Sequence, residues 1–126
     1  MGEYWNRSVA IVRSIPGWSV TGDSSANVAK TITKAAVAGE RHYITGFDVS
    51  ISGADAGADI TISLKDGSTD KWKVVIGSGS ARGATRSCRF DGAPIMMTVN
   101  TAANLVVTAG GALVITHLNL NGYTQI

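Results

Sequence analysis

The sequence predicts an all-β fold: a single-domain antiparallel β-sandwich of the jelly-roll type, with about eight strands. Apolar residues recur at every second position in short segments, and a helical spacing is nowhere sustained over three turns. Turns rich in glycine separate these segments. Because no helix is predicted to cover a sheet, the apolar faces can be buried only against a second sheet or inside a closed barrel.

Alternation is clearest in the segment HYITGFDVSIS. It predicts one apolar face, formed by Tyr43, Thr45, Phe47, Val49 and Ile51. The other face is mostly polar and would carry His42, Ile44, Gly46, Asp48 and Ser50. The pattern indicates a strand that is buried on one side.

A hairpin is predicted where DITISLKDG runs into DKWKVVIG. Ile60, Ile62 and Leu64 share one face of the first strand, and Trp72 lies in phase with the core face of the second. The connection DGSTD is expected to be longer than a two-residue turn. Further strands are predicted in ANVAKTITKAA, RSCRF, PIMMTVN, NLVVTAG and ALVITHLNL.

The first residues differ from the rest, and the chain divides at the turn signal Pro16-Gly17. Residues 1–16 are expected to be a strand or an arm that packs on a neighbour, and residues 17–126 the jelly-roll domain. Tyr4, Trp5 and Trp18 are candidates to anchor a partner or a sugar, because aromatic side chains are frequent anchors in interfaces.

Composition excludes several classes of protein. The 126 residues have a net charge of +2, too little for a dedicated nucleic-acid binder. Cys88 is the single cysteine, so no intrachain disulfide forms. Together with His42 and His117 it gives fewer ligands than a Cys/His zinc site needs. No apolar run reaches membrane-spanning length, and no secretory signal is present, so no membrane partner is expected.

The loop GSGSARG, residues 77–83, resembles a phosphate cradle but lacks its essential parts. A P-loop needs a lysine and a following helix, and the dinucleotide pattern needs a third glycine where this chain has Arg82. The loop is predicted to be a strand connection. If it binds anything, the expected ligand is another subunit, met by Arg82.

No catalytic, cofactor-binding or metal-binding residue is predicted, and the protein is not expected to be an enzyme. No Ser, His and acid grouping stands out, and Cys88 is in phase with Phe90, as a small buried side chain would be. Asp55 and Asp59 are candidate calcium ligands, but the DxDxDG pattern is missing. A cupin-like or glycosidase domain remains a third alternative.

Arg82, Arg86 and Arg89 form the basic concentration of the chain. On a strand, Arg86 and Arg89 would face opposite sides. One interpretation is a solvated edge that discourages aggregation between sheets. The other is contact with an acidic neighbouring subunit, since arginine is enriched in interfaces.

Residues 30–67, together with FDGAPIMM and LVITHLNLNGYTQ, resemble small jelly-roll proteins of tailed bacteriophages, of the head decoration or cement type. In that resemblance Gly39 and Gly46 supply bends, while Tyr43 and Phe47 fill the core. It implies a virion structural protein that is made in the bacterial host cytoplasm, decorates the outer capsid surface as a homotrimer and contacts the major capsid protein. The alternative is a carbohydrate- or receptor-binding module of a phage tail or fibre, with Trp18 or Tyr123 stacked on sugars.

Overall fold

The computed structural model describes residues 16–126, and this part of the chain consists of nine β-strands in two antiparallel sheets. The predicted N-terminal strand or arm, with Tyr4 and Trp5, lies outside the described residues except for Pro16. The strands are β1 (Gly17–Asp23), β2 (Lys30–Lys34), β3 (Arg41–Ser52), β4 (Ile60–Asp66), β5 (Thr69–Ile76), β6 (Thr85–Arg89), β7 (Ile95–Met96), β8 (Ala103–Val107) and β9 (Ile115–Gln125).

The strand order confirms the predicted jelly roll. One sheet has the order β1-β9-β3-β6, with the short β7 paired to β3, and the other has the order β2-β8-β4-β5. The chain crosses repeatedly between the two sheets. The first strand, β1, pairs along its whole length with the last strand, β9. Leaving β7 aside, eight strands form the two four-stranded layers of the sandwich.

The core fills the space between the sheets. Fully buried aliphatic and aromatic side chains come from both layers, among them Ile44, Phe47, Ile62, Leu64, Leu105 and Leu120. Burying each such side chain stabilises the fold by about 1.5–3 kcal/mol. The sandwich is therefore held together mainly by apolar packing, which is what strands of period two provide.

A β-bulge in β3 corrects the predicted faces of HYITGFDVSIS. The register against β9 shifts between Ile44 and Gly46, so Thr45 is the extra residue. Before the bulge the side chains of His42 and Ile44 face the core, and after it those of Phe47, Val49 and Ile51 do. The prediction that Tyr43 fills the core is wrong, because this half-buried ring stacks on Tyr123 at 5.0 Å between centroids.

The predicted hairpin is present as β4–β5, but its connection is shorter than expected. Only Gly67 and Ser68 lie between the strands, and Gly67 adopts a positive φ of 62°, which glycine tolerates. The register shifts between Leu64 and Lys65, which leaves Lys71 as an extra residue in β5. The connection is shorter than DGSTD because Asp66, Thr69 and Asp70 are paired within the two strands.

Two further elements differ from the expectation. The sequence does not predict β1, because Pro16-Gly17 is a turn signal, although Trp18 and Val20 alternate inward behind it. Within PIMMTVN only Ile95–Met96 is a strand. Met97 is nevertheless buried, and its N–H donates to the carbonyl oxygen of His42 at 2.9 Å.

Candidate functional site

The outer face of the β1-β9-β3-β6 sheet is made of small polar side chains. Directly opposed residues of antiparallel strands share a face, and the register brings hydroxyl, amide and carboxyl groups together in rows. We call this surface the polar face, and it comprises Ser19, Thr21, Asp23, Asp48, Ser50, Ser52, Thr85, Ser87, His117, Asn119 and Asn121. It offers hydrogen-bonding groups rather than an apolar surface.

Hydrogen bonds tie the polar face together across strands. The hydroxyl of Ser19 donates to Asn121 Oδ1 at 2.9 Å, and the hydroxyl of Ser87 donates to Asp48. Arg89 Nη2 lies 3.1 Å from both oxygens of Asp48. Burial acts to raise the pKa of the Asp48 carboxyl, but the hydrogen bonds from Ser87 and Arg89 and the charge of Arg89 outweigh burial, so the pKa is lowered.

Three side chains of the polar face form a linear hydrogen-bonded chain across β1, β9 and β3. His117 Nδ1 lies 2.8 Å from Asp23 Oδ1, and His117 Nε2 lies 2.7 Å from Ser52 Oγ. The sequence analysis found no grouping of Ser, His and acid, and the structure corrects it. The three residues lie far apart in the chain and meet only through strand pairing, so no local motif could have revealed them.

A shallow cavity of about 230 Å³ opens beside the polar face. It is lined by Thr45, Gly46, Arg89, Asp91 and Asn121. This volume is below the roughly 300–1,000 Å³ that is usual for small-molecule sites. The cavity has room for one small polar group.

A second surface lies along one flank of the sandwich, where the edge strands β5 and β6 meet. We call it the basic flank, and it comprises Lys71, Trp72, Lys73, Val75 and Arg86. Trp72 was predicted to be in phase with the core and does pair with Leu64, but its side chain sits at the rim and is 45% exposed. Its ring packs edge-on against Phe90 at 5.1 Å. Val75 pairs with Thr61 on the outer face of β5 and is 43% exposed.

Charged groups surround these apolar side chains. Asp70 lies 2.8 Å from Lys65 and 3.1 Å from Lys73, and hydrogen bonds from these two lysines lower the pKa of its carboxyl. Arg86 Nε donates to the carbonyl oxygen of Val75 at 3.1 Å, which links the two sheets at the flank. Arg86 and Arg89 leave β6 on opposite faces, because Arg86 pairs with core-facing Val49.

Trp18 lies on the opposite flank, where β1 and β2 form the edges. Its Nε1 donates to Thr124 Oγ1 at 2.9 Å, and its ring meets that of His42 edge-on at 5.6 Å. Lys34 Nζ lies 5.4 Å from the ring centroid, which is within cation–π range. The half-buried indole is engaged within the sandwich, and its contact with a partner stays a prediction.

The GSGSARG loop connects β5 to β6, as predicted. Two of its backbone N–H groups donate to carboxylates of the same chain: Ser78 N–H donates to Asp59 at 2.7 Å, and Arg82 N–H donates to Asp55 at 2.9 Å. Those of Gly79, Ser80 and Gly83 donate to backbone carbonyl oxygens. Gly79 and Gly83 adopt positive φ values of 88° and 93°. Asp55 and Asp59 thus hold the loop in place, and the side chain of Arg82 is exposed above it.

Residues 16–126 hold no cluster of three or more His, Cys, Asp or Glu side chains suited to a metal ion. In the same part of the chain, no helix is long and apolar enough to cross a membrane. Cys88 is a free thiol, half-buried opposite Phe47 on the inner side of β6.

No protein-family model and no curated protein matches the chain. Among solved structures, the PRD1 vertex protein P5 is similar over 85% of this chain and 95% of its own, with a TM-score of 0.53 and 13% identity. PirA is similar over 82% of this chain and 93% of its own, with a TM-score of 0.48 and 10% identity. The structure of Tomato Aspermy Virus is similar over 98% of this chain and 95% of its own, with a TM-score of 0.42 and 9% identity. The likeness to the vertex protein shows a shared fold.

Proposed function

We propose that the protein is a virion structural protein that decorates and cements the outer surface of a bacteriophage head, as a homotrimer in contact with the major capsid protein. The observation that carries the proposal is the fold, an all-β jelly roll whose neighbour over 85% of the chain is a viral vertex protein. Because a fold hosts many functions, the surfaces must supply the rest of the argument.

The basic flank is the surface best suited to a neighbouring subunit. Trp72 exposes apolar area at the rim of the core, and Val75 exposes more on the outer face of the same strand. Tryptophan and arginine are the residues most often found at interface hot spots. Cations outnumber carboxylates on this flank. The partner surface is therefore expected to be acidic, with an apolar recess for Trp72.

The edge strand β5 is protected against the wrong kind of assembly. Lys71 and Lys73 lie on it, and the bulge at Lys71 interrupts its regular hydrogen-bonding pattern. Both features hinder the open-ended pairing of edge strands. The flank is thus arranged for contacts through side chains, as in a closed oligomer.

Size-exclusion chromatography with light scattering at micromolar concentration tests the oligomer. We expect three times the mass of the chain for the wild type, and a smaller mass for W72S. The matched control is L113N, which removes another exposed apolar side chain away from the flank and keeps a residue that tolerates the positive φ of 66° at Leu113. A monomeric wild type would contradict the homotrimer.

The polar face favours a second candidate function, a carbohydrate- or receptor-binding module of a phage tail or fibre. Asn121, Arg89 and Asp91 line a polar cavity, and the stacked pair of Tyr43 and Tyr123 lies on the same side of the sheet. Small-molecule sites, including those for sugars, combine aromatic side chains with a few well-placed polar groups. A glycan array on which the wild type binds and N121A does not would favour this candidate, and an array without a binder would remove it.

A further inference from the structure

The hydrogen-bonded chain of Asp23, His117 and Ser52 plays no part in the proposed structural role. We propose that it is a nucleophilic site in which Ser52 is activated for acyl transfer, and that it takes small, activated carboxylic esters. The inference rests on the geometry of these side chains alone and does not depend on the oligomeric state of the protein.

The hydrogen-bonding partners define the state of the imidazole. An ionised Asp23 carboxylate has only acceptors, so the His117 Nδ1 that lies 2.8 Å from it must carry the proton. In the neutral ring, Nε2 then carries a lone pair and can only accept a hydrogen bond. The Ser52 hydroxyl, 2.7 Å away, must therefore be the donor in the second bond. The imidazole is thereby oriented as a base toward the serine, which is the arrangement that a Ser-His-Asp triad requires.

Strand pairing holds the three residues in place. Asp23 on β1 is the direct cross-strand partner of His117 on β9, and Ser52 lies on β3, one diagonal step from His117. The pair of β9 and β3 lies at the centre of the sheet, and β1 is its edge strand. All three residues lie within strands, so regular backbone rather than a loop sets the relative positions of their side chains. A site on rigid elements keeps its geometry better than a site on loops.

The chemistry is that of a serine hydrolase. Ser52 Oγ forms a bond to the ester carbonyl carbon while its proton passes to His117 Nε2. The bond to the leaving alcohol then breaks as His117 returns the proton to it, which gives an acyl-serine. Water attacks the acyl-serine, again losing its proton to His117, and releases the carboxylic acid together with free Ser52.

The openness of the site restricts the substrate. The side chains of His117 and Asp23 are 41% and 68% exposed, so the triad lies on an open face rather than in a cleft. Exposure leaves the reacting oxygen in water, where preorganised donors contribute least to catalysis. Esters with good leaving groups are therefore the expected substrates, and turnover is expected to be slow.

The test is covalent labelling of the intact protein with a fluorophosphonate. With this reagent Ser52 Oγ bonds to phosphorus, fluoride leaves and His117 takes up the proton. We expect mass spectrometry to place the label on Ser52. The variant S52A should lose the label, and H117A should react about 100-fold more slowly or worse, because general-base catalysis typically contributes at least that factor. D23N should also slow labelling, since it no longer fixes the tautomer of His117.

The matched control is S50A. Ser50 is directly opposite His117 on the same face, but Ser52 is the serine hydrogen-bonded to the ring, so S50A should label like the wild type. No label above the level of S52A, a label on another residue, or a Ser52 label that persists in H117A would overturn the proposal. Mapping the label in the wild type decides the question even if a variant fails to fold.

Discussion

The two flanks of the sandwich each carry a tryptophan, and the two side chains are used differently. Trp18, on the flank of β1 and β2, donates to Thr124 and packs against the buried ring of His42. Trp72, on the flank of β5 and β6, has only its edge-on contact with Phe90 among the aromatic contacts and leaves 45% of its surface exposed. One flank is closed by its own residues, and the other presents apolar area amid positive charge. The same residue type therefore supports the fold on one flank and is available to a partner on the other.

The largest expected difference is between W18A and W72A. We expect W18A to lower the free energy of unfolding by about 3 kcal/mol, because it removes a large packed side chain and its hydrogen bond to Thr124, whose hydroxyl keeps only its bond to His42. W72A should cost about 1 kcal/mol or less in the monomer, because its ring is only partly buried.

Urea unfolding followed by circular dichroism measures both values. Repeating the measurement at several protein concentrations separates the two roles, since association stabilises the folded state by mass action. The loss in W18A should not change with concentration, and the loss in W72A should grow with it. Equal losses at all concentrations would contradict the comparison of the flanks.

A glycine behind Trp18 sharpens the account of the closed flank. A Cβ added at Gly122 would run into the carbonyl oxygen of Tyr43 and come within 2.8 Å of the Trp18 ring. We expect G122A to lower the free energy of unfolding by about 2 kcal/mol, in the range of overpacking in a core. The control is G92A, where a Cβ meets nothing within 4 Å and stability should be almost unchanged. Similar values for the two variants in urea unfolding would show that both the β3 backbone at Tyr43 and the indole shift at little cost.

The ion pair between Asp48 and Arg89 on the polar face predicts a dependence on pH. The pKa of Asp48 is lowered from 3.8 in the folded protein, so the pair contributes stability above that value and loses it as the pH falls. The contribution is at most about 1 kcal/mol, as is usual for pairs near the surface. Thermal unfolding from pH 7 to pH 2 should show a smaller acid loss in D48N than in the wild type. Parallel curves would mean that Asp48 is not stabilised by Ser87 and Arg89.

The smallest expected effect is a gain of stability near the closed flank. Thr116 Oγ1 is buried and has no hydrogen-bond partner among the described residues, while the backbone of Thr116 is bonded to Ser24. T116V keeps the shape and removes the unsatisfied hydroxyl, so the free energy of unfolding should rise by about 0.5 kcal/mol. A loss of stability in urea unfolding would indicate that the hydroxyl is satisfied in solution.

Much of the fold could be predicted because burial on one face of a strand leaves a period of two in the sequence. The segments around Ile62 and Leu105 show this period, and both residues are fully buried. The phase of β3 could not be predicted, because the bulge at Thr45 inverts the faces and is imposed by the register against β9. Gly46, the residue after the bulge, is the local feature that marks it. A side chain does not fit there, because an added Cβ would come within 2.7 Å of the carbonyl oxygen of Cys88.

The surfaces were less predictable than the core. Arg86 and Arg89 were recognised from their clustering, since neighbouring residues of one strand stay close in space. The exposure of Trp72 depends on its position at the rim of the sheet, which the period of the strand does not reveal. The contacts of His117 join positions 65 and 94 residues away along the chain. Such contacts follow from the order of the strands in the sheet, which no local sequence pattern predicts.

The most direct test of the central claim is a density map of the intact virus particle into which this jelly roll is fitted. The account predicts that the protein lies on the outer capsid surface, with the basic flank and Trp72 buried against a neighbouring subunit whose facing residues are acidic. A particle in which every copy leaves the basic flank facing solvent, or a particle without the protein, would contradict the account.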